Sequence, residues 1–328
     1  MQAITFAQLC DELKKIRDKK VVLTFHTIGD RDAVGSAVAL SGYFPNSTVV
    51  MPDFITNNAR RMLGYINLEG KVTAKFPKDA EVVIALDVNN TAALGKLAEK
   101  LRPPVRTLFI DHHAPHKELK LDALMFNDET YNSTASIIYE TMKRIGASVG
   151  KSTAMLLLNG IIADSAEMQN SSPTTFRQVA ELLEISGADF SFFTEYYHKG
   201  IPINNKYEVI KDIAAAKYEV VGDYIIIYGR AKEHANVVAD TALKLQADVT
   251  VFWVTSNTEA SVSARLRSPL DKELSMHLGL IMEDIGKIVG GNGGGHACAA
   301  GAYGPKREAA QAAGEEVVRR IKEKLMQK

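Results

Sequence analysis

The sequence predicts an α/β protein of two domains, the first built on a parallel sheet with crossover helices and the second a smaller α/β unit. Three observations carry that prediction. Short apolar, β-branched runs alternate with helix-spaced segments through roughly the first third of the chain, the rhythm of strands joined by crossovers. A mostly helical stretch follows from residue 133 to about 186, and strand and helix signals resume near residue 217. At 328 residues the chain is long enough for two cores.

The elements follow in order. Phe6, Leu9, Leu13 and Ile16 have helical spacing behind Thr5, a good N-cap. Residues 21–25 form an apolar strand, and Gly35-Ser36 opens a small-residue helix suited to close packing. Strand and helix signals then alternate at residues 48–51, 57–66, 71–76, 81–86, 91–100 and 105–110, the last bounded by Pro103-Pro104. Helices are expected at 133–145, 152–163 and 174–186, the last entered through Ser172-Pro173. A connecting helix at 204–217 leads to a hairpin at 217–228 around Gly222-Asp223, a helix at 235–245 and strands at 249–254 and 261–266. A helix at 273–285, a glycine run at 290–295, a short segment at 297–302 and a terminal helix from about Arg307 complete the chain. The expected division is residues 1–186, a linker region 187–216, and residues 217–328.

Composition narrows the function. Thirty-nine basic and 39 acidic residues cancel, so no bulk positive field drives binding to long nucleic acid. Two cysteines far apart, Cys10 and Cys298, argue against a disulfide framework or a structural zinc site and fit a reducing cytoplasm. No apolar stretch approaches the ~20 residues of a membrane span, and Met1-Gln2-Ala3-Ile4 lacks signal-peptide character.

The chemistry concentrates at element ends. The run at 105–110 emerges into Asp111-His112-His113, and burying such groups without partners is costly. The strand at 21–25 ends in His26-Thr27-Ile28-Gly29-Asp30-Arg31-Asp32, the strand at 81–86 in Asp87, and an apolar helix in Ala163-Asp164-Ser165. Singly, each acid has an ordinary explanation: Asp87 and Asp164 as helix caps, Asp30 and Asp32 as turn formers. Turn chemistry does not explain why all four segments end this way, and ligands of open α/β sheets bind outside the carboxyl ends of the strands. Carboxylates with a few imidazoles and no thiolate suit two manganese or magnesium ions better than zinc. Asp30-Arg31-Asp32-Ala33-Val34 also matches the nucleophile string of haloacid-dehalogenase-type phosphatases, but there the Asp follows its strand directly, and here Thr27-Ile28-Gly29 intervenes.

In the second half, Gly293-Gly294-Gly295 can present backbone N–H groups to an anion, with His296 as a further donor. Arg265 and Arg267 alternate along one strand face and can clamp a phosphate. Neither a dinucleotide fingerprint nor a Walker motif fits the glycine run.

Taken in order, HTIGDRDAVGSA, ALD, IDHH, NGIIADS, SARLRS and GGNGGGHACAAG resemble the motifs of the DHH phosphoesterase superfamily with its DHH-associated C-terminal domain, over almost the whole chain. YNSTASIIYE resembles the helix that follows the third motif. The resemblance implies an N-terminal catalytic domain, a smaller substrate-binding domain and a cleft between them. It implies two Mn2+ ions, or Mg2+, held by His26, Asp30, Asp32, Asp87, His112 and Asp164, with Asp87 bridging. Asp111 would orient His112, His113 would face the scissile phosphate, and Arg265, Arg267, Gly293, Gly294, Gly295 and His296 would hold the substrate. The first motif usually has proline and glycine where Gly29 and Arg31 stand, and the second often has a later arginine absent from Asn89-Asn90-Thr91-Ala92-Ala93, which puts that phosphate grip in doubt.

The expected function is a manganese-dependent phosphoesterase for short oligonucleotides or small nucleotides, resembling nano-RNase/pAp phosphatases. The alternative is a RecJ-like single-strand exonuclease, for which the aromatic residues 190–197 are a candidate base-stacking surface. A non-catalytic nucleotide sensor is a third reading. The expected partner is a short nucleotide substrate rather than a long duplex or membrane, and a homodimer is compatible.

Overall fold

The computed structural model describes residues 2–101, 105–113, 122–199, 203–256 and 259–327, with only the backbone of 195–199. Pro103 and Pro104 lie outside the described residues. The chain divides into two compact units, residues 1–200 and 201–328.

The first unit comprises β1 (Gln2–Ala3), α1 (Phe6–Lys15), β2 (Val21–Phe25), α2 (Arg31–Ser41), β3 (Ser47–Val50), α3 (Asn57–Tyr65), β4 (Val72–Thr73), β5 (Val82–Leu86), β6 (Arg106–Asp111), β7 (Ala123–Asn127), α4 (Thr134–Ile145), α5 (Lys151–Asp164), α6 (Pro173–Ser186) and α7 (Phe190–Lys199). Its seven strands pair in parallel in the order β1-β7-β6-β5-β2-β3-β4. Every residue of β2 and β5 is buried, because helices or turns cover both faces of a parallel sheet; the uninterrupted apolar runs of the sequence follow from this. One face packs Leu23, Ile84 and Leu108 against α2, α4 and α5. The other packs Val22, Val83 and Phe109 against Leu94 and Leu97.

Small residues set the helix spacing. A Cβ on Gly35 would stand 2.8 Å from the Leu156 carbonyl oxygen, so α2 and α5 pack almost backbone to backbone. Residues Ala154–Ile162 of α5 are all buried, which explains a helix apolar all round. Thr5 and Gln8 form a capping box on α1, Ser133 caps α4, and Ser172-Pro173 opens α6. Phe193 of α7 is fully buried in this core, and Phe192 lies against Tyr65 with ring centroids 4.8 Å apart.

The second unit comprises α8 (Ile203–Ala215), β8 (Lys217–Val221), β9 (Tyr224–Arg230), α9 (Ala235–Leu243), β10 (Val249–Thr255), β11 (Ala260–Leu266), α10 (Leu270–Glu273), α11 (Leu278–Ile288), β12 (Asn292–Gly295), β13 (Ala299–Gly304) and α12 (Ala310–Met326). Its mixed sheet runs β12-β13-β11-β10-β9-β8, with β9 and β10 parallel and the other pairs antiparallel. The hairpin at Gly222 forms as expected, with a left-handed φ of +59°.

Three expectations change. The segment at 91–100 is a 3-10 stretch, Ala92–Lys100, broken at Gly95, whose φ is +53°. The helix expected at 273–285 is two: Ser275 takes a φ of +46°, and His277 Nδ1 accepts the Leu280 amide at 3.4 Å to start α11 afresh. The glycine run is the strand β12, and α11 lies directly on it: a Cβ on Gly293 would sit 1.8 Å from the Met282 carbonyl oxygen, and one on Gly286 would sit 2.5 Å from the Gly293 nitrogen. Among the described residues no helix is long and apolar enough to cross a membrane.

Candidate metal centre

From β2 the chain steps outward to β3 and β4, and β5 then returns to the opposite side of β2. The carboxyl ends of β2 and β5 therefore flank the point where strand order reverses, the place where open α/β sheets bind ligands. In register, Phe25 pairs with Leu86 and Leu86 with Ile110. The next residues, His26, Asp87 and Asp111, thus emerge from neighbouring strands, which are spaced roughly 4.8 Å apart.

Asp87 occupies the middle. Its φ is +61°, a left-handed conformation that costs a non-glycine residue about 1–3 kcal/mol and recurs at functional sites. Its amide donates to the Ile110 carbonyl at 2.9 Å. Held this way, its Oδ2 lies 3.3 Å from His26 Nε2 and its Oδ1 3.6 Å from His112 Nε2.

Two donor groups form around it. On one side Asp30 Oδ2 lies 3.7 Å from His26 Nε2, while its Oδ1 caps α2 by accepting the amides of Asp32 at 3.1 Å and Ala33 at 3.0 Å. Asp30 is thus both a cap and a candidate cation ligand. Gly29 closes this loop at φ +49°, where a Cβ would meet the Phe54 carbonyl oxygen at 2.6 Å. On the other side His112 Nε2 lies 3.3 Å from Asp164 Oδ2 and 3.9 Å from Asp32 Oδ2. Asp164 is the last residue of α5. Asp32 is in the first turn of α2 and fully buried; it accepts the Thr134 amide at 2.6 Å and the Ala135 amide at 2.8 Å. His112 Nδ1 stands 3.3 Å from the Tyr131 carbonyl. A carbonyl only accepts, so that nitrogen carries a proton and Nε2 is turned toward the acids, where its lone pair would be offered to a cation held among them.

Asp111 differs from expectation. Its Oδ1 lies 2.8 Å from His113 Nδ1 and so orients His113, while the Tyr131 carbonyl orients His112.

Burial, together with the crowding of acids, sets the electrostatics. Burial, followed by the charges of Asp87, Asp164 and Asp30, pushes Asp32 well above the usual carboxylate range. Burial likewise raises Asp164, with Asp30 and Asp87 adding to it against His112. Burial would lower His26, but Asp30 and Asp87 overcome it and raise the imidazole well above its ordinary value. His113 follows the same pattern: burial opposes, but Asp111, Asp87 and Asp164 lift it to about 10. Burial would raise Asp87, yet the three surrounding histidines hold it far below the usual range.

The donors fit divalent cations. Adjacent ligands of a six-coordinate ion bound at ~2.1 Å stand roughly 3 Å apart, close to the 3.3–3.9 Å separations about His112 Nε2. Oxygen and imidazole donors without thiolate suit hard or borderline ions. Asp111 Oδ2 is buried with no hydrogen-bond partner among the described residues. His26, Asp30 and Asp87 form one candidate set, and Asp32, Asp87, His112 and Asp164 another; Asp87 is common to both.

The expected substrate residues lie in the second unit. Arg265 is not a free clamp: its Nε lies 2.5 Å from Asp240 Oδ1, a partner on α9 that spacing along β11 does not reveal. Arg267 donates to the Ala247 carbonyl at 2.6 Å and lies 3.4 Å from Asp248. Of the three glycines, Gly293 serves the packing of α11 and Gly295 has φ +130°, whereas a Cβ on Gly294 would meet open space. His296 is exposed in the turn between β12 and β13, its amide donating to the Ala299 carbonyl at 2.8 Å.

Two family models match: the DHH family N-terminal domain over residues 20–161 and the DHHA1 domain over residues 222–323. An uncharacterized protein of Methanocaldococcus jannaschii is 28% identical over 302 residues, covering 89% of each chain. A probable manganese-dependent inorganic pyrophosphatase of Bacillus cytotoxicus is 29% identical over 199 residues, 57% of this chain and 62% of that one. The crystal structure of an exopolyphosphatase-related protein from Bacteroides fragilis superposes with a TM-score of 0.78 at 16% identity, covering 97% of this chain and 98% of that one, a likeness of fold. The family model and the site define a hydrolase of the phosphoesterase class. The chain belongs to the DHH family of phosphoesterases and carries a DHHA1 domain.

Proposed function

We propose that this phosphoesterase uses a pair of divalent cations, manganese by preference, to hydrolyse short oligonucleotides or small nucleotides. The observation that carries the reading is the split orientation of Asp87, with one oxygen toward His26 and the other toward His112. His26, Asp30 and Asp87 would hold one ion, and Asp32, Asp87, His112 and Asp164 the other. Bound there, two such ions supply charge neutralisation for the phosphoryl oxygens and a water acidified enough to attack.

The chain's own groups account for the rest. The backbone of Asp87 is set by the Ile110 carbonyl, which places its carboxylate between the two donor sets. Asp111 holds His113 by Nδ1, which leaves Nε2 to give a proton or positive charge to a departing oxygen. In the second unit the surface of β11, β12 and β13 near Gly294 is a proposed nucleotide-binding surface, where a phosphate drawn to Arg265 would compete with Asp240.

The test is a product assay on labelled di- to pentanucleotides, 3′,5′-bisphosphorylated adenosine, cyclic dinucleotides, a 30-mer and pyrophosphate, each with Mn2+, Mg2+ or chelator. The expected result is Mn2+-dependent turnover of the short substrates, lost in Asp87→Asn. Preference for the 30-mer would favour a single-strand exonuclease. Turnover of pyrophosphate alone would transfer the assignment to the Bacillus relative's reaction.

A further inference from the structure

Resting on the metal-centre reading above, we infer that Thr134 is a positioning residue that sets the separation of Asp32 and Asp87 before any cation binds. Thr134 is the first residue of α4 and fully buried. It makes two bonds to two acids from distant parts of the chain. Its amide donates to Asp32 Oδ2 at 2.6 Å, and its hydroxyl donates to Asp87 Oδ1 at 3.0 Å. An ionised carboxylate only accepts, so the single hydroxyl proton is committed to Asp87. The oxygen it holds is the one turned toward His112.

This arrangement answers a physical problem. Asp32 and Asp87 are both buried and both lie within 3.9 Å of His112 Nε2, so two like-charged carboxylates there would turn apart unless something held them. The amides at the start of α4 offer about half a unit of positive charge to Asp32. The Thr134 hydroxyl fixes the remaining freedom of Asp87, rotation of its carboxylate, whose backbone is already set by the Ile110 carbonyl. Both acids therefore face the His112 side together. Partners that orient metal-binding side chains are typically worth about 10–100-fold in metal affinity.

The experiment compares wild type with Thr134→Ser, Thr134→Ala and Thr134→Val in the full chain, stripped with chelator. Mn2+ binding is read by titration calorimetry, and stability without metal by thermal unfolding. Serine keeps the donor and is expected to bind Mn2+ within about 3-fold of wild type; alanine and valine are expected to fall by about 10–100-fold. All three keep the backbone bond to Asp32. If valine fails to fold, the serine–alanine pair decides, since neither adds bulk. Wild type that takes up no Mn2+ overturns the metal-centre reading itself. Wild type that binds, with alanine binding equally well, overturns the role of Thr134 alone. So does serine falling as far as alanine, because the lost methyl rather than the hydroxyl would then be the cause.

Discussion

Replacing Gly160 with alanine separates helix propensity from site geometry. Gly160 lies inside α5, where glycine is about 1 kcal/mol worse than alanine, so propensity alone predicts a stabilised protein. The surroundings predict the opposite. A Cβ there would stand 2.7 Å from Asp32 Oδ1, 2.9 Å from Ala135 Cβ and 3.0 Å from Asp32 Cα. None of these can yield cheaply: the Asp32 carboxylate is held by two amides, and Ala135 is fixed by the first turn of α4. Overpacking of this kind costs about 1–3 kcal/mol, and weakening a charge-assisted bond to Asp32 adds about 1.5 kcal/mol or more. After the propensity gain the net loss is about 2 kcal/mol. For a unit of this size that is a fall in Tm of roughly 4–8 °C. Calorimetric melting of the full chain in chelator measures it, and Mn2+ titration of the same samples should show weakened binding, because the displaced group is Asp32. Gly70→Ala is the control, since a Cβ there meets nothing within 4 Å, and it should melt within about 1 °C of wild type. A Gly160→Ala protein as stable as wild type with unchanged Mn2+ affinity would refute the reasoning.

Gly293→Ala forces a methyl into the Met282 carbonyl at 1.8 Å; it should detach α11 from β12 and make the second unit far more sensitive to limited proteolysis. Burial, with the Asp271 carboxylate beside it, pushes the Cys298 thiol up to about 12, so iodoacetamide at pH 8 should label Cys298 much more slowly in the native protein than in urea. Arg319 and Arg320 hold Glu316 at about 2; because its folded pKa lies below its unfolded one, its stabilisation is complete above about pH 4.5 and fades as pH falls toward 2. Urea unfolding should therefore show wild type more stable than Glu316→Gln by about 1 kcal/mol or less at pH 7, with a smaller gap at pH 3; an equal gap at both would show that the charge is not responsible.

What the sequence revealed, and what it did not, divides along the range of the interactions. The ends of β2, β5 and β6 are legible because strands covered on both faces read as near-continuous apolar runs, so an abrupt change to His26, Asp87 or Asp111 marks where the run ends. Strand β7 and the two-residue β1 lack such a mark, since they pair through neighbours rather than through a pattern of their own. In the glycine run the signal for packing is the seven-residue spacing of Gly279, Gly286 and Gly293, which places the first two on one face of α11 against β12. Finer still is which oxygen of Asp87 faces which histidine. Strand order brings Asp87 between His26 and His112, but a threonine 47 positions later in sequence holds the carboxylate. Element ends can be read one segment at a time, whereas the aim of a carboxylate depends on a helix that enters from elsewhere in the fold. The metal centre is therefore specified as much by the start of α4 as by the acids themselves.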